Sequence, residues 1–430
     1  MIIRNIRKGE EAAAAELLGN RTEEDFEAVD RTVKEIIADV RANGDEAIYR
    51  YNRKFSGWDG RDLRVSEEEI REAMDAVEPE MMEALKLAAA NIREFHQKQL
   101  AETWTYERKP GVTLGQLVRP IQNIGVTVPG GATPLFSTVL MDIIPAKIAG
   151  CPRVVMCTPP DAEGKINKYV LTAAHMAGAD EIYKVGGAQG IAAMAAGTQS
   201  IAKVNKIVGP GGIYVARAKK QVFGTVAIDM IAGPSEVCVI ADSSADPSFA
   251  AADMLSQAEH DPASSAVLIT PDGELAKAVE QEIYRQLGKL SREEITEKSI
   301  NNNGAIFITE DMESAFALAN EIAPEHLELA VEQPEQWLDQ VQCAGAVLLG
   351  HWSSEPLGDY AAGPNHTLPT SGTAKFANPL GVYDFQTRSS IINYSREGLA
   401  EVKDAIIRMA DHENLTAHGN AIRIRFEKES

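Results

Sequence analysis

Residues 181–196 decide the fold class and have the sequence Glu181-Ile-Tyr-Lys-Val-Gly-Gly-Ala-Gln-Gly-Ile-Ala-Ala-Met-Ala-Ala. A short β-type run ends at a glycine-rich turn, and a run typical of a helix follows that turn. The same order of strand, glycine-rich turn and helix is predicted around Pro129-Gly130-Gly131 and Gly209-Pro210-Gly211-Gly212. Short β runs that alternate with helices over this length are typical of a parallel, doubly wound α/β domain.

The three glycine-rich turns indicate a ligand that carries phosphate groups. Each turn lies at the carboxyl end of a predicted strand, where open α/β sheets bind their ligands. Glycine lets a ligand approach the backbone, and the N-terminus of the following helix favours an anion such as a pyrophosphate. Because no turn has a GxGxxG or Walker A sequence, any single one is explained equally well as a tight turn. For the three together, we predict a dinucleotide or a similar ligand.

The alternation of strands and helices continues beyond Gly233-Pro234-Ser235-Glu236. We therefore predict two related, doubly wound α/β domains of an incomplete Rossmann-like type, followed by a helical C-terminal tail domain. The first predicted segment is a helical leader at 1–24 that packs at a dimer interface. A discontinuous α/β domain at 25–126 and 236–378 carries most of the metal and catalytic site, and an inserted α/β domain at 127–235 carries the glycine-rich turns that would bind the dinucleotide. The tail at 379–430 contributes to the active site.

Composition and charge exclude several classes of protein. The 430 residues are 44% hydrophobic and 24% charged, as in ordinary globular proteins, and the formal net charge is −21. Proteins that bind nucleic acids or anionic membranes need a basic face, so we expect neither partner. We find no apolar run long enough to span a bilayer and no signal peptide in Met1-Ile-Ile-Arg-Asn-Ile-Arg-Lys. The 4 cysteines lack CxxC spacing, which indicates reduced thiols in a cytoplasm.

A candidate metal site lies at the end of a predicted helix, in Leu255-Ser-Gln-Ala-Glu-His-Asp-Pro. Asp246 is a good N-cap, Pro247 suits the first helical position, and the proline that closes the quoted stretch blocks continuation. Gln257 and His260 are three residues apart and lie on one side of the last turn. An amide oxygen and an imidazole can supply two metal ligands there. On spacing alone, two polar residues at a helix end are the commoner explanation.

A second candidate site is Pro324-Glu325-His326, directly before a predicted strand. Pro324 makes the turn rigid, and the two adjacent side chains point in different directions. One of them could remove a proton from a hydroxyl group while the other activates a water molecule. Histidine suits a general base near neutral pH, but a salt bridge at a loop end explains the pair equally well.

Two further stretches contribute polar candidates from the last third of the chain. The segment 351–380 is long and irregular, which in a compact enzyme is typical of a functional loop, and it contains Asp359 and His366. The predicted tail contains Glu413 and His418.

Short motifs along the chain, taken together and in this order, resemble the histidinol dehydrogenase family. Each motif alone is weak, but the set is very specific and covers essentially the whole chain. The motifs are Pro129-Gly-Gly with Leu140-Met, Gly186-Gly-Ala-Gln, Ile228-Asp-Met with Gly233-Pro-Ser-Glu, Leu255-Ser-Gln-Ala-Glu-His, Pro324-Glu-His-Leu, Gly358-Asp-Tyr with Asn365-His-Thr-Leu-Pro-Thr, and Leu415-Thr-Ala-His.

The resemblance implies a zinc- and NAD-dependent enzyme that oxidises L-histidinol through the aldehyde to L-histidine, the last steps of histidine biosynthesis. It implies that His326 takes the hydroxyl proton and that Glu325 activates the water that attacks the aldehyde. One zinc ion per subunit is expected, with the protein ligands Gln257, His260, Asp359 and His418. The substrate-contacting positions are expected to be Ser235, Gln257, His260, Glu325, His326, Asp359, His366, Glu413 and His418.

The resemblance also implies a homodimer in which the C-terminal segment crosses to the partner subunit, so that each active site is shared. The expected NAD contacts are Thr127, Gln189 and Gly212. The family usually has tyrosine at the position of Thr127, asparagine at that of Gly212 and alanine at that of Gly190. Because an aromatic face and an amide are lost there, we predict that NAD binding is weaker or altered. All of the zinc and substrate positions match the family.

Three other functions fit parts of the pattern. A zinc- and NAD-dependent dehydrogenase of another small polar alcohol would use the same base with a different side-chain pocket. A zinc hydrolase would use Glu325 to activate a metal-bound water. A non-catalytic relative would keep the glycine-rich turns without holding NAD. Formation of NADH from histidinol distinguishes the leading hypothesis from all three.

Overall fold

The computed structural model describes residues 1–18, 26–130 and 134–427. It shows a mixed α/β protein in which the described strands form two parallel sheets and one antiparallel sheet, so the predicted α/β class is confirmed. The strands are β1 Ile2–Asn5, β2 Trp104–Lys109, β3 Val112–Pro120, β4 Asn123–Thr127, β5 Arg153–Thr158, β6 Glu181–Lys184, β7 Lys206–Val208, β8 Ala227–Ile228, β9 Glu236–Ala241, β10 Ser265–Thr270, β11 Ala305–Ile308, β12 His326–Ala330, β13 Ala346–Leu349 and β14 Gln386–Tyr394.

The helices lie between these strands and in the N- and C-terminal regions. They are α1 Glu11–Glu16, α2 Glu27–Asn43, α3 Asp45–Ser56, α4 Glu67–Asp75, α5 Pro79–Gln97, α6 Phe136–Ile148, α7 Lys168–Ala177, α8 Gly187–Ala196, α9 Ile213–Val222, α10 Pro247–Ala258, α11 Gly273–Leu287, α12 Glu293–Asn303, α13 Met312–Ile322, α14 Glu355–Tyr360, α15 Arg396–Ala400, α16 Lys403–His412 and α17 Thr416–Glu427. Short 3-10 helices cover Pro334–Gln340, Thr373–Lys375 and Val382–Phe385. No helix in these described ranges is long and apolar enough to cross a membrane.

The chain divides into two compact units, Met1–Gln99 with Ile121–Phe385 and Leu100–Pro120 with Gln386–Ser430. The first unit contains both parallel sheets. Its six-stranded sheet has the order β1-β11-β10-β9-β12-β13. Every residue of β9 and β10 is buried, which explains why these strands are almost continuously apolar instead of alternating.

The five-stranded parallel sheet of the same unit has the order β6-β5-β4-β7-β8. The chain proceeds outward from β4 to β5 and β6, and then returns to place β7 and β8 on the other side of β4. The direction of winding therefore reverses between β4 and β7. Such a switch point leaves a crevice beyond the carboxyl ends of the two strands, and open α/β sheets bind ligands there.

The helices between Phe26 and Gln97 pack differently from our prediction. We expected them to join residues 236–378, but their buried side chains form common cores with the five-stranded sheet. Ile37 and Val40 of α2 share a core with Val155, and Ile92 of α5 shares a core with Ile124. A parallel sheet needs helices on both faces. The helices within the predicted insert are too few to cover both faces of the five-stranded sheet, and the helices between Phe26 and Gln97 complete the cover.

The N-terminal leader contains a strand as well as a helix, and its predicted packing at a dimer interface stays a prediction. Ile2–Asn5 is a strand that pairs in parallel with Ala305–Ile308 at the edge of the six-stranded sheet. Ala14 of α1 is buried in the same core as Phe316 of α13. The described part of the leader therefore packs on its own chain, because an unpaired edge strand and an apolar helix face are both available to it. Residues 19–24 lie outside the described residues.

We predicted that residues 379–430 form a helical tail domain, but the second unit also contains strands. Gln386–Tyr394 pairs antiparallel with Val112–Pro120, and Trp104–Lys109 pairs with the other edge of that strand. The helices α15, α16 and α17 complete the unit. Gln386–Tyr394 is largely exposed and rich in small polar residues, so its sequence lacks the apolar alternation that marks a strand.

Candidate active site

The catalytic candidates lie at the amino ends of strands in the six-stranded sheet. Glu325 directly precedes β12, and His326, its first residue, pairs with Val237 near the start of the neighbouring β9. The helix α10 follows β9 and returns toward the same edge, because a helix after a parallel strand runs back across the sheet. Gln257 in its last turn and His260 just beyond its end therefore reach the region that Glu325 and His326 occupy.

The local structure of α10 confirms its prediction from the sequence. The side chain of Asp246 accepts a hydrogen bond from the backbone nitrogen of Ser248, and Pro247 is the first helical residue. The helix ends at Ala258, one turn before the proline that blocks its continuation.

Glu325 and His326 are both buried, with 7% and 3% of their surface exposed. The backbone nitrogen of Glu236 donates to Oε2 of Glu325 (2.9 Å), and Nδ1 of His326 donates to the carbonyl oxygen of Glu236 (3.2 Å). Nε2 of His326 lies 3.6 Å from Oδ1 of Asp359. Because a carbonyl oxygen can only accept, Nδ1 carries a proton, and Nε2 is the nitrogen available to chemistry.

Burial and neighbouring charges shift the pKa values of this pair. Burial raises the pKa of Glu325 to about 8, although the charge of His326 opposes the shift. Burial lowers the pKa of His326, but the hydrogen bond to Asp359 and the charge of Glu325 outweigh it and raise that pKa to about 10. A cation bound beside Asp359 would lower both pKa values, since positive charge stabilises the carboxylate of Glu325 and disfavours the protonated form of His326.

Three side chains form a group of possible metal ligands next to this pair. His260, Glu355 and Asp359 each offer a donor atom, and these atoms lie within 4.8 Å of one another. Asp359 and Glu355 are four residues apart on α14, so both point from one side of that helix. Burial raises the pKa of Asp359, but hydrogen bonding to His326 and the charge of His366 hold it below its usual value. The carboxylate is therefore available as a ligand.

Glu355 is the member of this group that the sequence did not reveal. It is 1% exposed, and its Oε2 accepts a hydrogen bond from Oγ of Ser256 (2.7 Å). With its amide nitrogen turned toward Glu355, Gln257 donates to Oε1 (3.0 Å) and accepts from the backbone nitrogen of Glu236 (3.2 Å). Glu355 thus connects α14 to α10. The only sequence signal was its spacing of four residues from Asp359.

His366 is held by protein groups at both ring nitrogens. Nδ1 donates to the carbonyl oxygen of Asp359 (3.0 Å), so Nε2 accepts the hydrogen bond from Oγ1 of Thr138 (3.1 Å). Burial lowers the pKa of His366, in agreement with a neutral ring. The next residue, Thr367, donates to Asp142 of the same helix α6 (3.0 Å). This loop is therefore anchored to α6.

The structure brings together some of the remaining predicted residues and not others. Ser235 is half-buried and directly precedes Glu236, whose backbone contacts Glu325 and His326. Glu413 and His418 belong to the second unit, where both side chains are exposed. Their roles stay predictions.

The predicted NAD contacts lie at the ends of strands in the five-stranded sheet. Thr127 ends β4, and Gly212 is the N-cap of α9, in the turn after the neighbouring β7. Gln189 is 4% exposed and lies in the first turn of α8, after β6 at the sheet edge. A Cβ atom at Gly212 would meet nothing within 4 Å, so the missing side chain leaves open space there.

Comparison with known proteins identifies the family. A family model described as histidinol dehydrogenase matches residues 19–426. The chain belongs to the histidinol dehydrogenase family. The histidinol dehydrogenase of Listeria innocua serovar 6a is 51% identical over 420 residues, which cover 98% of each chain. That of Bacillus cereus is 54% identical over 403 residues, or 94% of each chain.

A solved member of the histidinol dehydrogenase family has the same fold. The crystal structure of the enzyme from Elizabethkingia anophelis matches with a TM-score of 0.94 at 39% identity, covering 100% of this chain and 98% of the other. The family resemblance that the sequence motifs indicated is confirmed.

Proposed function

We propose that the protein oxidises L-histidinol to L-histidine with NAD, in two steps through the aldehyde. One observation carries the proposal: the donor group His260, Glu355 and Asp359 lies beside the buried pair Glu325 and His326. A metal site next to an acid–base pair can serve both the oxidation of an alcohol and the hydration of an aldehyde. Membership of the histidinol dehydrogenase family supports the substrate and the cofactor.

The donor set fits zinc, which binds imidazole nitrogen together with carboxylate and amide oxygens. Gln257, His260 and Asp359 would hold the ion from one subunit, and His418 would complete the protein ligands. When bound, zinc would supply a positive charge that binds and orients the substrate beside His326 and Glu325. Glu355 would support this set, because its carboxylate already holds Gln257.

His326 is the general base of the proposed reaction. The hydrogen bond from Nδ1 to Glu236 fixes the ring, and Nε2 then receives the hydroxyl proton. Glu325 activates the water that adds to the aldehyde, and the backbone nitrogen of Glu236 holds its carboxylate in place. The backbone of one residue, Glu236, thus orients both side chains.

Purified protein supplied with L-histidinol and NAD is expected to form NADH, to lose this activity on treatment with a chelator, and to regain it with zinc. Absorbance of NADH is the measurement, and metal content is followed in parallel. NADH from another alcohol but none from histidinol would contradict the proposed substrate. Full activity after complete removal of metal would contradict the metal site.

We propose that a second copy of the chain covers the second unit. Among its described residues, the buried apolar side chains are those of Val112, Val118 and Ala410. Larger apolar side chains of the unit are exposed, notably Trp104, Tyr106, Ile392, Met409 and Leu415. So much exposed apolar surface on a small unit is typical of an interface. The homodimer with shared sites that the resemblance implies would cover it and would give the exposed Glu413 and His418 a role.

Co-expression of His326→Gln and His418→Asn subunits tests whether each site is shared. In a mixed dimer, one site would keep its own His326 and the partner's intact His418. Random pairing then restores about a quarter of wild-type activity, since half of the dimers are mixed and each has one intact site. Each variant expressed alone is the control and is expected to be nearly inactive. Mixed dimers without activity would contradict the shared site.

We also propose that the protein is cytoplasmic. All four cysteines, Cys151, Cys157, Cys238 and Cys343, are free thiols, which suits a reducing compartment.

A further inference from the structure

The motif Ile228-Asp229-Met230 has no part in the site described above, yet its carboxylate is almost completely buried. The side chain of Asp229 is 1% exposed and follows β8 directly. Its Oδ2 accepts a hydrogen bond from the backbone nitrogen of Gly209 (2.8 Å), and its Oδ1 accepts one from the backbone nitrogen of Met230 (2.6 Å). Asp229 therefore bonds to the first residue of the turn after β7.

A buried lysine holds the same glycine from its other side. Lys219 of α9 is 2% exposed, donates from Nζ to the carbonyl oxygen of Gly209 (2.8 Å) and forms an ion pair with Asp229. Both polar backbone groups of Gly209 are thus bonded to one buried ion pair. Desolvation makes such a pair a weak source of net stability, so its placement needs a reason other than stability.

Gly209 occupies a position that only glycine can adopt here. Its φ is +112°, and a Cβ atom would lie 2.2 Å from the carbonyl oxygen of Thr127 and 3.0 Å from Oδ2 of Asp142. The turn after β7 is therefore packed tightly against the end of β4. Burial and the charge of Asp229 raise the pKa of Asp142 to about 8, which favours its neutral form, and Lys219 forms its ion pair with Asp229.

This contact lies at the switch point of the five-stranded sheet, between β4 and β7. The residues that follow Gly209 form the outer part of the turn, and Gly212 and Tyr214 are exposed at the start of α9. The ion pair holds the inner end of the turn, and the outer end borders the crevice in which a dinucleotide would lie.

We propose that Lys219 and Asp229 are positioning residues that hold the Gly209–Gly212 turn in the shape that receives NAD. They act through the backbone of Gly209 and not by touching the cofactor. The proposal rests on the proposed NAD-dependent function. A purely structural ion pair would instead affect folding stability and leave NAD binding unchanged.

The variants Lys219→Met, Asp229→Asn and their combination test the proposal in the zinc-loaded enzyme. We expect KM for NAD to rise about tenfold or more, the scale on which loss of supporting contacts weakens ligand sites. KM for histidinol, zinc content and kcat at saturating NAD are expected to stay within about twofold. Each single variant leaves one buried charge unpaired and can be destabilised for that reason alone, whereas the combined variant leaves none. A change of KM for NAD in the combined variant therefore reports on the geometry of the turn.

Lys220→Met is the matched control, because Lys220 is the next residue of α9 and is exposed. It is expected to bind NAD as the wild type does. A combined variant with wild-type KM for NAD would overturn the proposal. An equal rise of KM for NAD and of KM for histidinol would overturn it as well. Absence of NADH formation in the wild type would instead overturn the proposed function.

Discussion

Replacing His326 with glutamine is expected to lower kcat by about a thousandfold for both oxidation steps, within the range that general bases contribute. Glutamine is similar in size, and its amide can still donate to the carbonyl oxygen of Glu236, as Nδ1 of His326 does. It cannot accept a proton at the position of Nε2. The variant therefore removes the base and keeps the surrounding hydrogen bonds, so the loss reports on proton transfer.

The measurement is steady-state NADH formation, with histidinol and with the aldehyde as alternative substrates. Zinc content is determined on the same sample, so that loss of metal is not mistaken for loss of the base. His175→Gln is the matched control, since His175 is an exposed histidine of α7. Comparable rates for His326→Gln and the wild type would exclude His326 as the base.

Replacing Glu325 with glutamine is expected to slow oxidation of the aldehyde by about a hundredfold or more, with a much smaller effect on oxidation of histidinol. Only the second step consumes water, and the carboxylate of Glu325 is the group that activates it. The amide keeps an oxygen that can accept from the backbone nitrogen of Glu236, so the position of the side chain is retained.

The variant should release one NADH for each histidinol consumed, where the wild type releases two, and the aldehyde should accumulate. Glu328→Gln is the matched control, because Glu328 is another buried carboxyl group, 4% exposed, on the strand β12 that follows Glu325. It is expected to keep the ratio of the wild type. If the rates of histidinol oxidation and aldehyde oxidation fell equally in Glu325→Gln, Glu325 would have a role common to both steps.

Local signals in the sequence predicted the elements that carry the candidate site. The cap at Asp246 and the proline after it act within a single helix, and the structure reproduces that helix, with Gln257 in its last turn and His260 just beyond its end. The pair Glu325 and His326 was found for a similar reason, since both residues stand side by side before a strand. Alternation of strands and helices likewise predicted the α/β class.

Features that depend on distant partners were not predicted. Glu355 is recognisable only when folding places it against Ser256 and Gln257, about a hundred residues earlier in the chain. Strand β14 has a weak intrinsic pattern and forms because β3 offers it an edge. The helices from α2 to α5 could cover either sheet by periodicity alone, and complementarity of the buried faces decides between them.

The direction of α10 has a consequence for the choice of metal. Its C-terminal end points toward His260, so the partial negative charge of the helix end adds to the carboxylates of Glu355 and Asp359. Attraction by charge does not distinguish one divalent ion from another, and the mixed nitrogen and oxygen donors accept several of them. Occupancy then follows the intrinsic order of affinity and the supply of each ion to the protein. Manganese, cobalt and zinc would compete for one centre, and the concentration of each free ion around the protein would select among them.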